Sequence, residues 1–250
     1  MPFTQDIVLL IFLAQFLAYT VKGLIGFGNP LISAPLLSMG LDNVVITPGT
    51  LLTDIPINAY ISWKNRKKLQ PRRILPLLAA VICGIIPGAF LLRTSLPWVL
   101  KTILGVVVVL LGVEMATRSR HTKATVKDTP ALRLLVAFCS GVTGGLFGIN
   151  MFLTAYLQRT AKDYDEFKGS ICLLFFGDNL TRLVVYLIGG MITREILYFA
   201  AISAAAGLLA MLTAGWLGKY LDEKKLMKAA IVLFIAGGIS IIFKSLMFHT

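Results

Sequence analysis

Five ionisable residues lie within long apolar stretches of the chain, where a charged side chain is costly. They are Lys22, Asp54, Glu114, Asp178 and Arg182. A charge at the centre of a bilayer costs on the order of 3 kcal/mol on insertion scales, so each residue is a candidate for a functional role. A buried carboxylate can take up a proton or a cation, and a guanidinium can bind an oxyanion through two parallel hydrogen bonds. These residue types therefore predict ion binding inside a membrane.

The spacing of these residues leaves alternatives open. Asp178 and Arg182 are four residues apart, which places them on one face of a predicted helix. They could form a structural ion pair, or Arg182 could bind an oxyanion while Asp178 takes a coupling ion. Asp54 is the second candidate for a coupling proton or sodium ion, and it could instead pair with Lys22. Glu114 is followed four residues later by an arginine near the end of an apolar span, which favours an interfacial ion pair.

Two glycine clusters interrupt apolar stretches, one in each half of the chain. The first has Gly23, Gly26 and Gly28 followed by Asn29 and Pro30, and the second has Gly141, Gly144, Gly145 and Gly148 followed by Asn150. Each glycine costs a helix about 1 kcal/mol relative to alanine, so both clusters predict a helix, a break and a second helix. Alternatively, the glycines only permit close helix packing, as small residues do in membranes.

A half-helix that starts at such a break directs free backbone N–H groups and its positive dipole end into the membrane, which suits an anion. We therefore expect backbone donors at Gly26, Gly28, Gly144, Gly145 and Gly148. Side-chain amides can add further donors to a bound oxyanion. The candidates are Asn29 and Asn150 at the breaks, and Asn58 and Asn179 on the spans that follow.

The elements that must hold these residues are helices. Crossing a bilayer takes about 20 apolar residues. Six stretches meet this requirement, at residues 45–63, 74–92, 99–116, 167–189, 196–217 and 226–243, and the two broken stretches span residues 6–41 and 131–158. The order of features is the same in both halves. We therefore predict an all-α integral membrane protein with two pseudo-symmetric four-segment repeats, residues 1–117 and 131–250, joined by a cytoplasmic linker at 118–130.

Basic residues predict the orientation, because Lys and Arg accumulate in cytoplasmic loops. Basic clusters occupy the connectors at residues 64–73, 118–127 and 219–228. All three fall on one side if each broken stretch is a re-entrant hairpin and six helices cross, with the repeats inverted and both termini outside. Eight crossings would instead leave the third cluster outside. We prefer the six-crossing interpretation.

Composition excludes several classes of protein. Of the 250 residues, 57% are hydrophobic and only 14% are charged. The net charge of +12 is placed in connectors, so it reflects membrane topology and not a nucleic-acid partner. Three isolated cysteines and two histidines have no metal-ligand spacing, and no nucleotide-binding motif is present. We expect no metal, no cofactor and no enzymatic activity.

At the two glycine clusters the chain resembles the sulfite exporter TauE/SafE family of membrane permeases. The resemblance rests on the run from Gly23 to Pro35, on its weaker partner from Gly141 to Asn150, and on the repeat order. It implies secondary transport of a small anion, such as sulfite or an organosulfonate, by alternating access across the cell membrane. The expected partners are this anion, the lipid bilayer and a coupling proton or sodium ion; homo-oligomerisation stays open. The alternative is an intramembrane enzyme or carrier that acts on a lipid phosphate.

Overall fold

The computed structural model describes residues 3–94, 129–147, 150–161 and 163–218, with isolated positions between 98 and 113 and between 220 and 243. Within these residues the chain is helical and contains no strand. The helices are α1 (Gln5–Ile25), α2 (Asn29–Leu37), α3 (Asn43–Lys64), α4 (Pro71–Thr94), α5 (Pro130–Phe147), α6 (Met151–Thr160), α7 (Tyr164–Ile188) and α8 (Arg194–Leu217), with a short 3-10 turn at Arg66–Lys68.

Five of these helices are long and apolar enough to cross a membrane: α1, α3, α4, α7 and α8. Each has at least 21 residues, which at 1.5 Å per residue gives about 30 Å, the thickness of a bilayer core. The all-helical fold and the multiple membrane spans predicted from the sequence are therefore confirmed for the described part of the chain.

The described helices form two compact units. The first contains α1, α2, the first half of α3 and α8; the second contains the rest of α3 and α4 to α7. The predicted repeats at residues 1–117 and 131–250 describe sequence order, whereas each unit combines helices from both repeats. The division at the linker stays a prediction.

In the first unit, α1 packs along α8 in the same direction. The Phe3 ring, just before α1, lies 6.3 Å from the Tyr198 ring near the start of α8. Further along, the hydroxyl oxygens of Thr20 and Thr213 are 3.5 Å apart. The contacts advance together along both helices, so the two helices are parallel.

The first glycine break is where the sequence predicted it. Helix α1 ends at Ile25, and α2 begins at Asn29 after Gly26 and Gly28, which have φ values of 89° and 95°. Residues with a Cβ are strained at such angles, so glycine serves both positions. Helix α2 then returns toward the start of α1, since Leu36 and Leu37 belong to the same apolar cluster as Ile7. The pair α1–α2 is therefore a hairpin.

The second unit is built on a close crossing of α4 and α5. A Cβ on Gly84 would collide with the backbone carbonyl of Phe138, and one on Gly141 would collide with that of Val81. Four residues further along both helices, a Cβ on Gly145 would lie 2.7 Å from the Ile85 carbonyl oxygen. The backbones therefore touch along two parallel helices, as small residues spaced four apart allow.

This crossing corrects one prediction. The second glycine cluster does not break the helix at Gly141, Gly144 and Gly145, because α5 is continuous through all three and ends at Phe147. The physical reason is that Gly141 and Gly145 admit the backbone of α4, and the packing gained offsets their low helix propensity. The break comes later, and α6 begins at Met151 after Asn150. Gly148 lies outside the described residues.

Helix α6 brings the chain back to the end where α5 began. Arg73, near the start of α4, donates a hydrogen bond of 3.0 Å from Nη1 to the carbonyl oxygen of Thr160, the last residue of α6. Beside it, Lys68 Nζ is 2.8 Å from Asp163 Oδ2. The hydrogen bond from Lys68 lowers the pKa of the Asp163 carboxyl and raises the pKa of the Lys68 amine. The connectors before α4 and after α6 therefore lie at one end of the second unit.

The return of α6 bears on the number of crossings. If the stretch at residues 131–158 crossed the membrane once, it would separate the connector at 64–73 from that at 161–163 by a bilayer. The contacts of Lys68 and Arg73 instead join these connectors. The second broken stretch has the hairpin form that the six-crossing interpretation requires.

Candidate functional site

Five of the predicted site residues meet in the second unit, at the break between α5 and α6. They are Gly144, Asn150, Asp178, Asn179 and Arg182, called here the Arg182 cluster. Helix α5 supplies the glycine, the residue before α6 supplies Asn150, and one face of α7 supplies the other three. All five residues are buried. Hydropathy patterns identified the members, but their convergence is a property of the folded chain.

Arg182 is held by acceptors on several sides. Its Nε lies 3.2 Å from Asp178 Oδ2, its Nη1 donates to the Gly144 carbonyl oxygen at 3.0 Å, and its Nη2 donates to Asn179 Oδ1. Of the two interpretations of Asp178 and Arg182, the structure realises the ion pair. The pair is buried, since the Arg182 and Asp178 side chains are 2% and 1% exposed, and it carries no net charge.

Asp178 is bound asymmetrically. Oδ2 lies beside the guanidinium and also accepts a hydrogen bond of 3.1 Å from Asn150 Nδ2. Oδ1 receives no hydrogen bond within the described part of the chain, and the same is true of Asn150 Oδ1. Asn150 precedes α6 at the N-cap position, but its side chain does not cap the helix. Its amide N–H instead donates to Asp178.

Two residues that support the cluster were missed in the sequence. Tyr186, four residues after Arg182 on α7, donates from its hydroxyl to the Gly145 carbonyl oxygen at 3.2 Å. Ser140, just before the glycine cluster, accepts a 3.1 Å hydrogen bond from the backbone N–H of Leu153 in α6. The four-residue spacing from Arg182 could have identified Tyr186. No sequence signal identified Ser140.

Two further predicted residues lie in the second unit, on α3. Asn58 is fully buried, and neither its Nδ2 nor its Oδ1 makes a hydrogen bond to another described residue. A buried amide that lacks partners is uncommon and calls for an explanation such as a bound ligand or water. Asp54 is also buried, and its charge acts on both Asp178 and Arg182.

The first unit buries polar residues near its own glycine break. Gln15 donates from Nε2 to Thr50 Oγ1 at 3.0 Å, and Tyr19 donates from its hydroxyl to the Thr50 carbonyl oxygen at 3.3 Å. Lys22, in the last turn of α1, is 1% exposed, and Asn29, the first residue of α2, is fully buried. Gln15 and Tyr19 were also missed, although their spacing of four residues on α1 places them on one helix face.

The two breaks therefore share a composition. Each has a buried cation, Lys22 or Arg182, and a buried asparagine where the short helix starts, Asn29 or Asn150. Buried charges in an apolar medium need compensating groups, and buried amides can bind a ligand with oxygen atoms. Such groups can hold small ions. Glu114 lies outside the described residues. Within those residues, no group of histidine, cysteine and acidic side chains could hold a metal ion.

Comparison with known proteins supports the family resemblance that the glycine clusters indicated. The profile of the family described as "Sulfite exporter TauE/SafE" matches residues 11–241, which is most of the 250-residue chain. No curated protein matches the chain, and no solved structure matches it. The matched segment includes both glycine breaks and all the buried residues described above. The chain therefore belongs to the sulfite exporter TauE/SafE family and is a multi-pass membrane permease, not an enzyme.

Proposed function

We propose that this permease is a secondary transporter for a sulfur-containing oxyanion, sulfite or a small organosulfonate, and that it works by alternating access. The observation that carries the proposal is the matched pair of buried polar sites, each with one cation and one asparagine at a glycine break. Family membership supports the transport of an anion.

The chemistry of these groups supports an oxyanion. A sulfite or sulfonate group presents three oxygen acceptors, and it is recognised best by charged donors and amide N–H groups. Asn58 contributes a buried amide that binds no other described residue, and Asn179 Nδ2 is likewise available. Arg182 keeps its charge in an apolar site because a guanidinium stays protonated far above neutral pH. A neutral sugar or an organic cation would leave these donors poorly used.

Helix packing supports a repeat on which alternating access can be built. In the predicted first repeat, α1 is the first helix and α4 is the fourth. In the second repeat, α5 is the first helix and α8 is the fourth. The structure packs α1 on α8 and α5 on α4, each pair parallel. The first helix of each repeat thus contacts the fourth helix of the other, a reciprocal pattern expected for a pseudo-two-fold pair.

Energetics bear on the direction of transport. A monovalent anion that leaves a cell with a negative interior gains about 2.3 kcal/mol per 100 mV of membrane potential. Export therefore needs no coupled ion, whereas import against this potential does. Asp54 and Asp178 are the residues that we propose for a coupling ion, because both are buried carboxylates in the second unit.

The test is a ligand screen followed by flux. The purified permease would be heated with sulfite, sulfate, thiosulfate, sulfoacetate, phosphate and small carboxylates, and hits would be tested for uptake into proteoliposomes. A ligand at about 100 times its dissociation constant adds about 2.7 kcal/mol to the stability of the folded state. We expect selective stabilisation by sulfur oxyanions. If only phosphate or carboxylates stabilise the protein and are transported, the substrate assignment is wrong.

A charge substitution tests the site. Asn29→Asp keeps the size of the side chain but replaces an amide donor with an anion, so we expect at least tenfold weaker binding of the anion, since a hydrogen bond to a charged group contributes about 1.5–3 kcal/mol. Asn65→Asp is the matched control, because Asn65 lies in the connector after α3 and donates to the Ile61 carbonyl oxygen. Equal losses in both variants would count against the site.

A further inference from the structure

Two buried oxygen atoms in the Arg182 cluster lie near the same position beside Gly144, and neither has a donor among the described residues. A Cβ atom placed on Gly144 would lie 2.5 Å from Asn150 Oδ1 and 3.2 Å from Asp178 Oδ1. Neither oxygen accepts a hydrogen bond from any described residue, and the residues are 3% and 1% exposed. A buried acceptor without a donor lacks the water that would otherwise satisfy it. Within the described part of the chain, the two oxygens therefore lack a hydrogen-donating partner.

The orientation of the amide is determined by its other bond. Asn150 Nδ2 donates to Asp178 Oδ2, so rotating the amide would place an oxygen against that carboxylate oxygen instead. The orphaned oxygens cannot be satisfied by exchanging the amide atoms. Two oxygens are also few for a metal cation, since Ca²⁺ takes six to eight oxygen ligands and Mg²⁺ takes six. A proton on Asp178 Oδ1 turns that oxygen into a hydroxyl donor, and Asn150 Oδ1, which lies near the same Gly144 position, is an acceptor that no described residue satisfies.

We propose that Asp178 is the proton-binding residue of the transport cycle, and that uptake of this proton makes the charge of Arg182 available to the anion. This inference rests on the proposed function. The proton forms an O–H bond at Oδ1 and converts the carboxylate to a neutral acid, so the pair changes from no net charge to one positive charge. The anion then binds with its negative charge balanced. Oδ2 keeps its position beside Arg182 and Asn150.

The surroundings are compatible with such a switch. From α7 the titratable neighbours are Arg182 and Tyr186, and from α3 the neighbour is Asp54. Helix α5 presents the Gly144 carbonyl, which accepts from Arg182, and the start of α6 presents the Asn150 amide. One proton taken up with each monovalent anion makes the cycle electroneutral. The pH gradient would then drive transport, and the membrane potential would have no effect on it.

The experiment follows protons and anion together in proteoliposomes that contain a pH-sensitive dye. The probe is a simple alkyl sulfonate, whose charge is constant across the pH range used. With the potential clamped by potassium and an ionophore, we expect sulfonate uptake to acidify the lumen at a rate that is independent of the clamped potential. Uptake that generates a potential and moves no protons would overturn the inference and leave the proposed function intact. If no anion of the panel is bound or transported, the proposed function itself fails.

A variant localises the proton. Asp178→Asn resembles the protonated acid, because its amide can donate to Asn150 while its oxygen faces Arg182. We expect wild-type affinity for the sulfonate to fall up to tenfold per pH unit on the alkaline side, the limit for one linked proton. The affinity of the variant should not depend on pH. Asp163→Asn, at an exposed helix N-cap, is the matched control and should keep the wild-type slope. The same slope in Asp178→Asn would contradict the assignment to Asp178.

A second measurement requires neither transport nor a folded Asp178→Asn variant. Infrared difference spectra of the wild type on acidification should contain the carbonyl band of a buried protonated carboxylic acid, and this band should shift when Asn150 is replaced by Ala. Proton flux in the wild type decides the coupling even if Asp178→Asn does not fold. The absence of both the band and the proton flux would exclude the proposal.

Discussion

At the scale of single residues, the ion pair of Asp178 and Arg182 has most of its energetic effect when it is broken. Both side chains are buried, and Arg182 also binds the Gly144 carbonyl and Asn179. A buried pair is worth little compared with apolar residues, because removing both charges from water is costly. Removing one partner leaves the other charge uncompensated, at a cost of about 3–5 kcal/mol. Each charge of the pair therefore depends on the other for its compensation.

This asymmetry gives a testable prediction about stability. Arg182→Ala should lower the free energy of unfolding by about 3–5 kcal/mol, because the Asp178 carboxylate loses its cation. Adding Asp178→Asn to Arg182→Ala should restore a large part of that loss, since no charge then remains in the pair. Thermal unfolding in detergent measures both. Thr181→Ala is the control on the same helix, because its hydroxyl donates to the Gly177 carbonyl oxygen of α7. A double variant as unstable as Arg182→Ala would contradict this account.

At the scale of helices, the glycines of the two clusters perform two different tasks. Gly26 and Gly28 end α1 and adopt positive φ values. Gly141 and Gly145 stay inside α5 and admit the backbone of α4. The same residue type therefore breaks one helix and packs another, and only the neighbour across the interface distinguishes the two cases. The two interpretations of the clusters in the sequence are each correct for part of them.

A pair of glycine substitutions separates packing from helix propensity. Gly141→Ala should destabilise the protein by about 1–3 kcal/mol, because the added methyl group would collide with the Val81 carbonyl. Gly215→Ala, in α8, meets nothing within 4 Å and should be neutral or stabilise by up to about 1 kcal/mol. Unfolding of the two variants side by side measures the difference. If Gly141→Ala is as stable as Gly215→Ala, the close crossing of α4 and α5 does not exist in the membrane.

At the scale of the whole molecule, the contact between the two connectors of the second unit predicts a cross-link. Lys68→Cys with Asp163→Cys, in a chain freed of its native cysteines, should be joined by a short bifunctional thiol reagent that replaces the reach of the lysine side chain. Both single variants should be labelled by an impermeant thiol reagent from the same side of the membrane. Labelling from opposite sides would contradict the hairpin formed by α5 and α6.

The salt bridge at the same place has a definite pH dependence. Because the hydrogen bond from Lys68 lowers the pKa of Asp163, the stabilisation from this pair is present at neutral pH. It is lost when the pH falls through the lowered pKa of the carboxyl in the folded state. We therefore expect the wild-type connector, which keeps the Lys68–Asp163 pair, to be cleaved faster in acid than at neutral pH, whereas the cross-linked Lys68→Cys/Asp163→Cys protein, which lacks the pair, should not show this difference. Protease cleavage of the connector at residues 64–73, compared between the wild type and the cross-linked variant at both pH values, measures this difference.

The sidedness of the chain gives a further prediction. The positive-inside rule places the basic connector at residues 64–73 in the cytoplasm, and six crossings then place both termini outside. A topology reporter fused after Thr250 should be active on the external side, and one inserted in the connector should be active inside. A cytoplasmic signal from the C-terminal fusion would contradict the six-crossing arrangement.

The sequence by itself determined the class of the protein and the local features of its site. Hydropathy established the long membrane helices, because burying apolar residues in lipid depends on composition and length alone. The first break followed from glycines that no helix favours, and the pairing of Asp178 with Arg182 was one of two open interpretations because residues four apart share a helix face. These properties depend on neighbours within a few residues along the chain.

Only the tertiary structure decided which distant groups meet. Asn150 binds Asp178, 28 residues away along the chain, and Tyr186 reaches the Gly145 carbonyl on another helix. The hairpin form of the second broken stretch depended on Arg73 and Lys68 contacting the end of α6 and the residues after it. Such contacts are determined by how helix backbones pack against each other, and a hydropathy pattern carries no information about the neighbour. For this reason the residues of the site could be predicted, whereas the two unpaired oxygens beside Gly144 could not.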